Sequence, residues 1–536
     1  YILLIYFKMK KMKKIILLLI GSLTIISCSE TKQELKRITF TSDSEEAIAL
    51  MEEFMTNSEK REAGSAIQSK LIDSILKLDP NFAMAKVFNW WGAATDNQER
   101  VISAYESIDK VSDLESRFIT AAYERRVNGS IIKQDQIMDA LIKDYPEHWQ
   151  LRVFSGDIKN DLLDARGSEK RWEEALELNP SAFNALFGLV FLHIESGSST
   201  MLPANDRDLE KAKGYLETVR ALNPNSSQAD RFMGNIYRKE NDLDKALAAY
   251  QKSNNMIEDK ESQLYRNGLL MQGHVYTFKG EYEEGRKKYY EGRSGALENK
   301  DYQWSMAFTN YIAQGYLYQK NFASAINVLS EMQETVSGFE ETELQKINRT
   351  SFLEFFKFIA FGHSQKTEET LASISRIKEL NGKATQIRLN ASNLNDQQKQ
   401  RIILNRDTGN LSFDVWYNIL FGNYDEARSL LDEFSVLSAK QLSFDPNSMD
   451  DFFKFSGYLN LMEGKPQEAI DFYSRVSKVI IDDDNYHRYF LALANKAIGN
   501  TEESNIMLTN LATDNFARWQ NAIVKNLAKV QIKTNL

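Results

Sequence analysis

The side chains best suited to bind a metal or move a proton near neutral pH are five histidines: His148, His193, His274, His363 and His487. They are scattered, no His-Glu-x-x-His run occurs, and there is no pair of cysteines, so no metal site is expected. No Gly-x-x-x-x-Gly-Lys-Ser/Thr loop is present to cradle a phosphate, and no Gly-x-Gly-x-x-Gly follows a strand. A Gly-x-Ser-x-Gly nucleophile elbow is also missing. Carboxylates are plentiful, but they read as the solvated faces of an acidic helical protein. Asp482-Asp483-Asp484 lacks the Gly and distal Glu of a calcium loop and reads as a helix start or surface turn. Trp90, Trp91, Trp304, Trp416 and Trp519 could stack against sugar rings, yet aromatics at helical spacing are first of all packing groups. The sequence therefore predicts no catalysis and no cofactor.

The elements that would position any site are helices. Apolar residues recur with helical period, as over 209–221 and 242–254, whereas alternating strand patterns are hard to find. A spaced pattern then repeats: Met233-Gly234, Tyr237, Ala246, Tyr250 and Ser253; Gly273, Tyr276, Gly280, Tyr282, Gly285 and Tyr289; Ala313, Tyr316, Phe322, Ala325 and Leu329; Gly457, Gly464, Ala469 and Tyr473. Weaker copies lie upstream around Ala121, Gly156 and Gly188. A small residue on one helix lets a second helix approach, an Ala on that second helix is expected opposite it, and aromatics fill the remaining holes. Four of the seven prolines (Pro80, Pro146, Pro180 and Pro224) close units in Leu-Asp-Pro, Asp-Tyr-Pro and Leu-Asn-Pro contexts.

This spacing resembles the tetratricopeptide repeat, a helix–turn–helix unit of about 34 residues. The resemblance implies an all-α fold of hairpins stacked into a right-handed solenoid, here in two arrays, whose concave groove holds protein or peptide partners. Groove positions implied by it are Arg231, Asn235, Arg238, His274, Phe278, Gln314 and Tyr318. Arg231 and Asn235 resemble part of a clamp for a terminal carboxylate. Met271 and Ala307 stand where that clamp needs Asn and Lys, so recognition of chaperone tails is not expected.

Residues 10–28 read as a lipoprotein leader. Lys10, Lys11, Lys13 and Lys14 precede an apolar run of about twelve residues, too short for the roughly 20 that span a bilayer. The run ends at Ile25-Ile26-Ser27-Cys28, which resembles the bacterial lipobox, and Cys28 is the only cysteine. That resemblance implies cleavage before Cys28 and lipidation of its thiol (palmitate among the acyl chains). With Ser29 rather than Asp following, it also implies outer-membrane attachment facing the periplasm or the surface. Met9 or Met12 would open such a leader, leaving 1–8 as an upstream extension. The remaining chain carries 61 basic against 75 acidic residues, a balance that argues against a general nucleic-acid binder.

The expected organisation is a leader (1–27), a lipidated tether (28–43), an N-terminal array (44–335), an irregular helical connection (336–410) and a C-terminal array with a closing helix (411–536). Lys525, Lys529 and Lys533 are expected on the polar outer face of that closing helix. The expected function is a lipid-anchored envelope scaffold for protein or peptide partners. The alternative is a glycan- or nutrient-binding outer-membrane lipoprotein of the starch-utilisation type, disfavoured by regular units and few Gly/Pro-rich loops.

Overall fold

A computed structural model describes residues 36–61, 65–88, 94–194, 202–390 and 394–533, and no strand occurs among them. Cys28 and the leader lie outside the described residues, as do Trp90 and Trp91. Helices begin where a side chain can take the free backbone N–H groups of the first turn. Ser112 with Glu115, Thr342 with Gln345 and Asn395 with Gln398 form reciprocal capping boxes. Helices end before Pro80, Pro146, Pro180 and Pro224, and at Gly280, Gly422, Gly464 and Gly499, whose φ values of 77 to 89° suit glycine.

The same left-handed corner is occupied by Lys320 at φ 56°. Lys320→Gly is therefore expected to stabilise the chain by about 1 kcal/mol, read as a rise in denaturant midpoint.

Each helix folds back on the one before it, so the chain is a series of antiparallel hairpins stacked side by side. The glycines set how closely the helices approach. A Cβ on Gly234 would fall 2.5 Å from the Tyr250 ring, one on Gly273 2.3 Å from Tyr289, and one on Gly457 2.8 Å from Tyr473. Gly156 and Gly188 press on opposite parts of Trp172 in the same manner. The small residue thus makes room chiefly for a ring sixteen positions on, rather than for the Ala expected opposite it. The Ala position lies beside it: a Cβ on Gly285, equivalent to Ala246, would sit 2.9 Å from the Gly273 carbonyl. Ala246, Ala313, Ala325 and Ala469 are fully buried, while Tyr237 and Tyr276 are only half-buried.

Two expectations need correction. Residues 36–43 are not a free tether. Ile38 N–H donates to Gln150 Oε1 (2.8 Å), Thr41 binds Glu115, Ser42 binds Asp79 and Arg37 pairs with Glu59. Ordinary polar residues looked like linker because their partners lie up to 112 positions away. Nor is 336–410 an irregular connection. It contains helices Glu343–His363, Thr367–Leu389 and the first part of Asp396–Leu420, each packed on the next. Their 21 to 25 residues exceed the usual hairpin length, which moved the small-residue spacing out of register. The Asn/Gln-rich stretch includes a capping pair, not a linker.

The stack also curls back on itself. Gln398 Nε2 donates to Val127 O (2.7 Å), and the Arg401 guanidinium occupies the space that a Cβ on Gly129 would need. Helix Glu45–Lys60 packs on Phe183–His193, and helix Trp519–Lys533 packs on Tyr302–Tyr318. These seams join positions as much as 271 residues apart.

Candidate functional site

First helices of successive hairpins line the inside of the curl, and they carry the residues singled out from sequence. On helix Ser227–Lys239, Gln228, Arg231, Asn235 and Arg238 fall one turn apart along a single face. His274 and Phe278 share a face of Gln263–Lys279, as do Gln314 and Tyr318 on Tyr302–Tyr318. Asn235, Arg238, His274, Gln314 and Tyr318 are 3 to 7% exposed, and Arg231 and Phe278 are half-buried.

Two of these residues have a structural task that the sequence reading missed. Asn235 Oδ1 accepts from Tyr250 Oη (2.6 Å), and His274 Nδ1 bonds Tyr289 Oη (2.7 Å). After Gly234 and Gly273 the next residue thus bonds the hydroxyl of the ring that the glycine admits, whereas the Tyr473 hydroxyl beside Gly457 meets His487 Nδ1 at 3.3 Å. The signal was present as Gly-Asn…Tyr and Gly-His…Tyr at equal separation. Burial, reinforced by the Arg238 charge, holds the His274 imidazole well below its usual range, so it stays neutral. His363 and His487 are pushed down to about 4 by burial. Among the described residues no group of His, Cys, Asp and Glu could hold a metal ion.

The face is partly covered by the chain's own C-terminal segment. Asn515 Nδ2 donates to Arg238 O (3.2 Å) and Asn241 Oδ1 (2.7 Å), and the Arg238 guanidinium lies 5.4 Å from the Phe516 ring centre. Asn526 Nδ2 reaches Tyr318 O (2.9 Å). Lys525, expected on an outer polar face, is instead 5% exposed: its ammonium sits 5.1 Å from the Phe278 ring centre and donates to Asp514 O and Asn515 Oδ1. Helical period placed Lys525 on the closing helix, but only the curl decided that its side faces inward.

Burial, with Lys529 adding repulsion and Asp514 opposing both, pushes the Lys525 ammonium down to about 7. In the unfolded chain a lysine stays protonated to about pH 10.4. Between those values unfolding takes up a proton, so stability rises with pH, while below about 7 both states are protonated and the contribution is flat. The parent chain is accordingly expected to gain on Lys525→Met between about pH 7 and about pH 9, by at most about 1.4 kcal/mol per pH unit in paired unfolding curves.

No curated protein matches the chain. A solved structure of a Rap protein complexed with Competence and Sporulation Factor is 13% identical; the alignment covers 64% of this chain and 99% of that one, at a TM-score of 0.35. The tetratricopeptide repeat family model matches residues 204–254. The matched segment ends with the Ser227–Lys239 and Leu243–Asn255 hairpin, whose Gly234–Tyr250 contact recurs in the Gly273–Tyr289 and Gly457–Tyr473 hairpins. The chain thus contains a tetratricopeptide repeat within residues 204–254.

Proposed function

We propose that the chain is a non-catalytic scaffold, lipid-anchored through Cys28 in the outer membrane, that binds protein or peptide partners along the inner face of its curl. The observation that carries the reading is a set of buried polar atoms on that face without partners: Gln228 Oε1 and Gln314 Oε1 as acceptors, Arg231 Nε and Arg238 Nη1 as donors. Such atoms are costly to leave unmade, and a peptide backbone supplies both kinds of complement. A preformed face also loses little ordering entropy on binding. The anchor rests on the lipobox resemblance around Cys28. No helix among the described residues is long and apolar enough to cross a membrane.

Two experiments test the parts separately. Metabolic labelling with an alkyne fatty acid should tag the parent chain and leave Cys28→Ser untagged; equal tagging would remove the anchor. Crosslinking in intact cells from a photoreactive residue placed at Gln314 should give discrete adducts. Adducts no different from those of a residue on the outer face, such as Lys287, would remove the inner-face site.

A further inference from the structure

At one end of the inner face two arginines bracket a trio of rings. Arg61 Cζ lies 4.8 Å from the ring centre of Phe191 and 5.5 Å from that of Phe187. Both rings meet Phe232, at 4.9 and 5.1 Å, and Arg231 Cζ sits 4.5 Å from the Phe232 centre. The two guanidiniums come from distant places. Arg231 projects from a first helix, whereas Arg61 caps helix Glu45–Lys60 in a left-handed conformation (φ 55°) that only a few non-glycine residues adopt. That helix reaches the site by packing on Phe183–His193.

Among the described residues neither arginine has an ion pair within bonding distance or a side-chain hydrogen bond, and Nε of each is buried without an acceptor. Asp157, an exposed residue on helix Trp149–Asp161, is the acid whose charge acts on Arg61, and it forms no ion pair with either arginine. Burial and repulsion from Arg61 push Arg231 down to about 10. Two cations against apolar rings, with one nearby carboxylate that pairs with neither, leave a net positive site that favours an entering anion. One turn before Arg231, Gln228 Oε1 waits for a donor.

Resting on the inner-face reading above, the geometry points to a carboxylate-binding station in which Arg61 and Arg231 take an acidic residue of an extended peptide while Gln228 accepts a neighbouring backbone N–H. The rings make the station selective for a carboxylate presented beside apolar or backbone atoms. The inward-turned end of the first described helix is what completes it, so the site exists only when the curl is closed.

Selection of a random dodecapeptide phage library on the full chain supplies the probes. The enriched peptides are expected to share an Asp or Glu at one position. In synthetic copies, replacing that residue by Asn or Gln should weaken binding about tenfold, as loss of a charge-assisted pair does. Arg61→Gln and Arg231→Gln should each cost a similar factor with the acidic peptide and nothing further with its amide counterpart. Asp157→Asn, which removes the competing charge, should tighten the acidic peptide several-fold, a gain that a damaged fold cannot imitate. Peptides synthesised with free and amidated C-termini distinguish a side-chain carboxylate from a terminal one. Enriched peptides with no acidic preference, or an acidic preference that survives both arginine substitutions in chains that still melt cooperatively, would overturn the station while leaving peptide binding intact. No enrichment at all would overturn both.

Discussion

Gly273→Val should destabilise its hairpin by about 3 kcal/mol, at the upper end of what overpacking costs. A Cβ there falls 2.3 Å from the Tyr289 ring, before the two further carbons of valine are placed. The ring cannot swing aside, because it is 1% exposed and its hydroxyl is held by His274 Nδ1 at 2.7 Å and Thr277 Oγ1 at 3.3 Å. Backbone separation is no easier, since a Cβ on Gly285 would already lie 2.9 Å from the Gly273 carbonyl. Tyr289→Leu alone should cost about 2–4 kcal/mol through lost burial and an unpartnered His274. Combined with Gly273→Val, however, the two should cost clearly less than their sum, because the smaller side chain relieves the clash. Repeat stacks unfold unit by unit, so the measurement should be local: hydrogen exchange of amides 263–298 in the parent, both single variants and the double variant. Strict additivity would mean that the ring is not what the glycine accommodates.

Trp416→Ala should be of similar size, about 3–5 kcal/mol, and should act at a distance from its own helix. Trp416 is 8% exposed and lies at the centre of an aromatic cluster, 5.2 Å from Phe358, 5.5 Å from Tyr486 and 5.5 Å from Trp519 between ring centres. Its Nε1 also donates to Tyr486 Oη at 3.4 Å. Trp519 opens the helix that covers part of the inner face, so removing its support should loosen residues 514–526. Hydrogen exchange should therefore rise in Trp519–Lys533 as well as in Asp396–Leu420. The half-buried Trp304, whose one ring neighbour among the described residues is Phe308 at 6.0 Å, is the control. Trp304→Ala should cost about 1–2 kcal/mol and leave the C-terminal helix protected. An unchanged C-terminal helix in Trp416→Ala would show that the cover is held by its own contacts alone.

Much of the local architecture was legible. Gly234, Gly273 and Gly457 could be picked out because only the smallest side chain tolerates a ring pressed onto its Cα, and the chemistry of that contact repeats in sequence. Turn glycines such as Gly280 and Gly464 were legible for the same local reason: a left-handed corner favours glycine. The candidate site was legible by half. Helical period placed Arg231, Asn235 and Arg238 on one face, but it could not tell a residue that waits for a ligand from one already used. Asn235 and His274 turned out to hold tyrosine hydroxyls, and Lys525 faced inward although it sits on a helix at the end of the stack.

Spacing by itself determined that the chain is helical, that its helices pair into hairpins, and which small residues lie between them, because those facts depend on neighbours within about one repeat. Tertiary structure alone decided that 36–43 are bound to the body, that helix Trp519–Lys533 covers part of the inner face, and that Arg61 stands across three phenylalanines from Arg231. Those contacts join residues up to almost 300 positions apart. They depend on the small rotation between successive hairpins, summed over the whole stack, which no short window of sequence encodes.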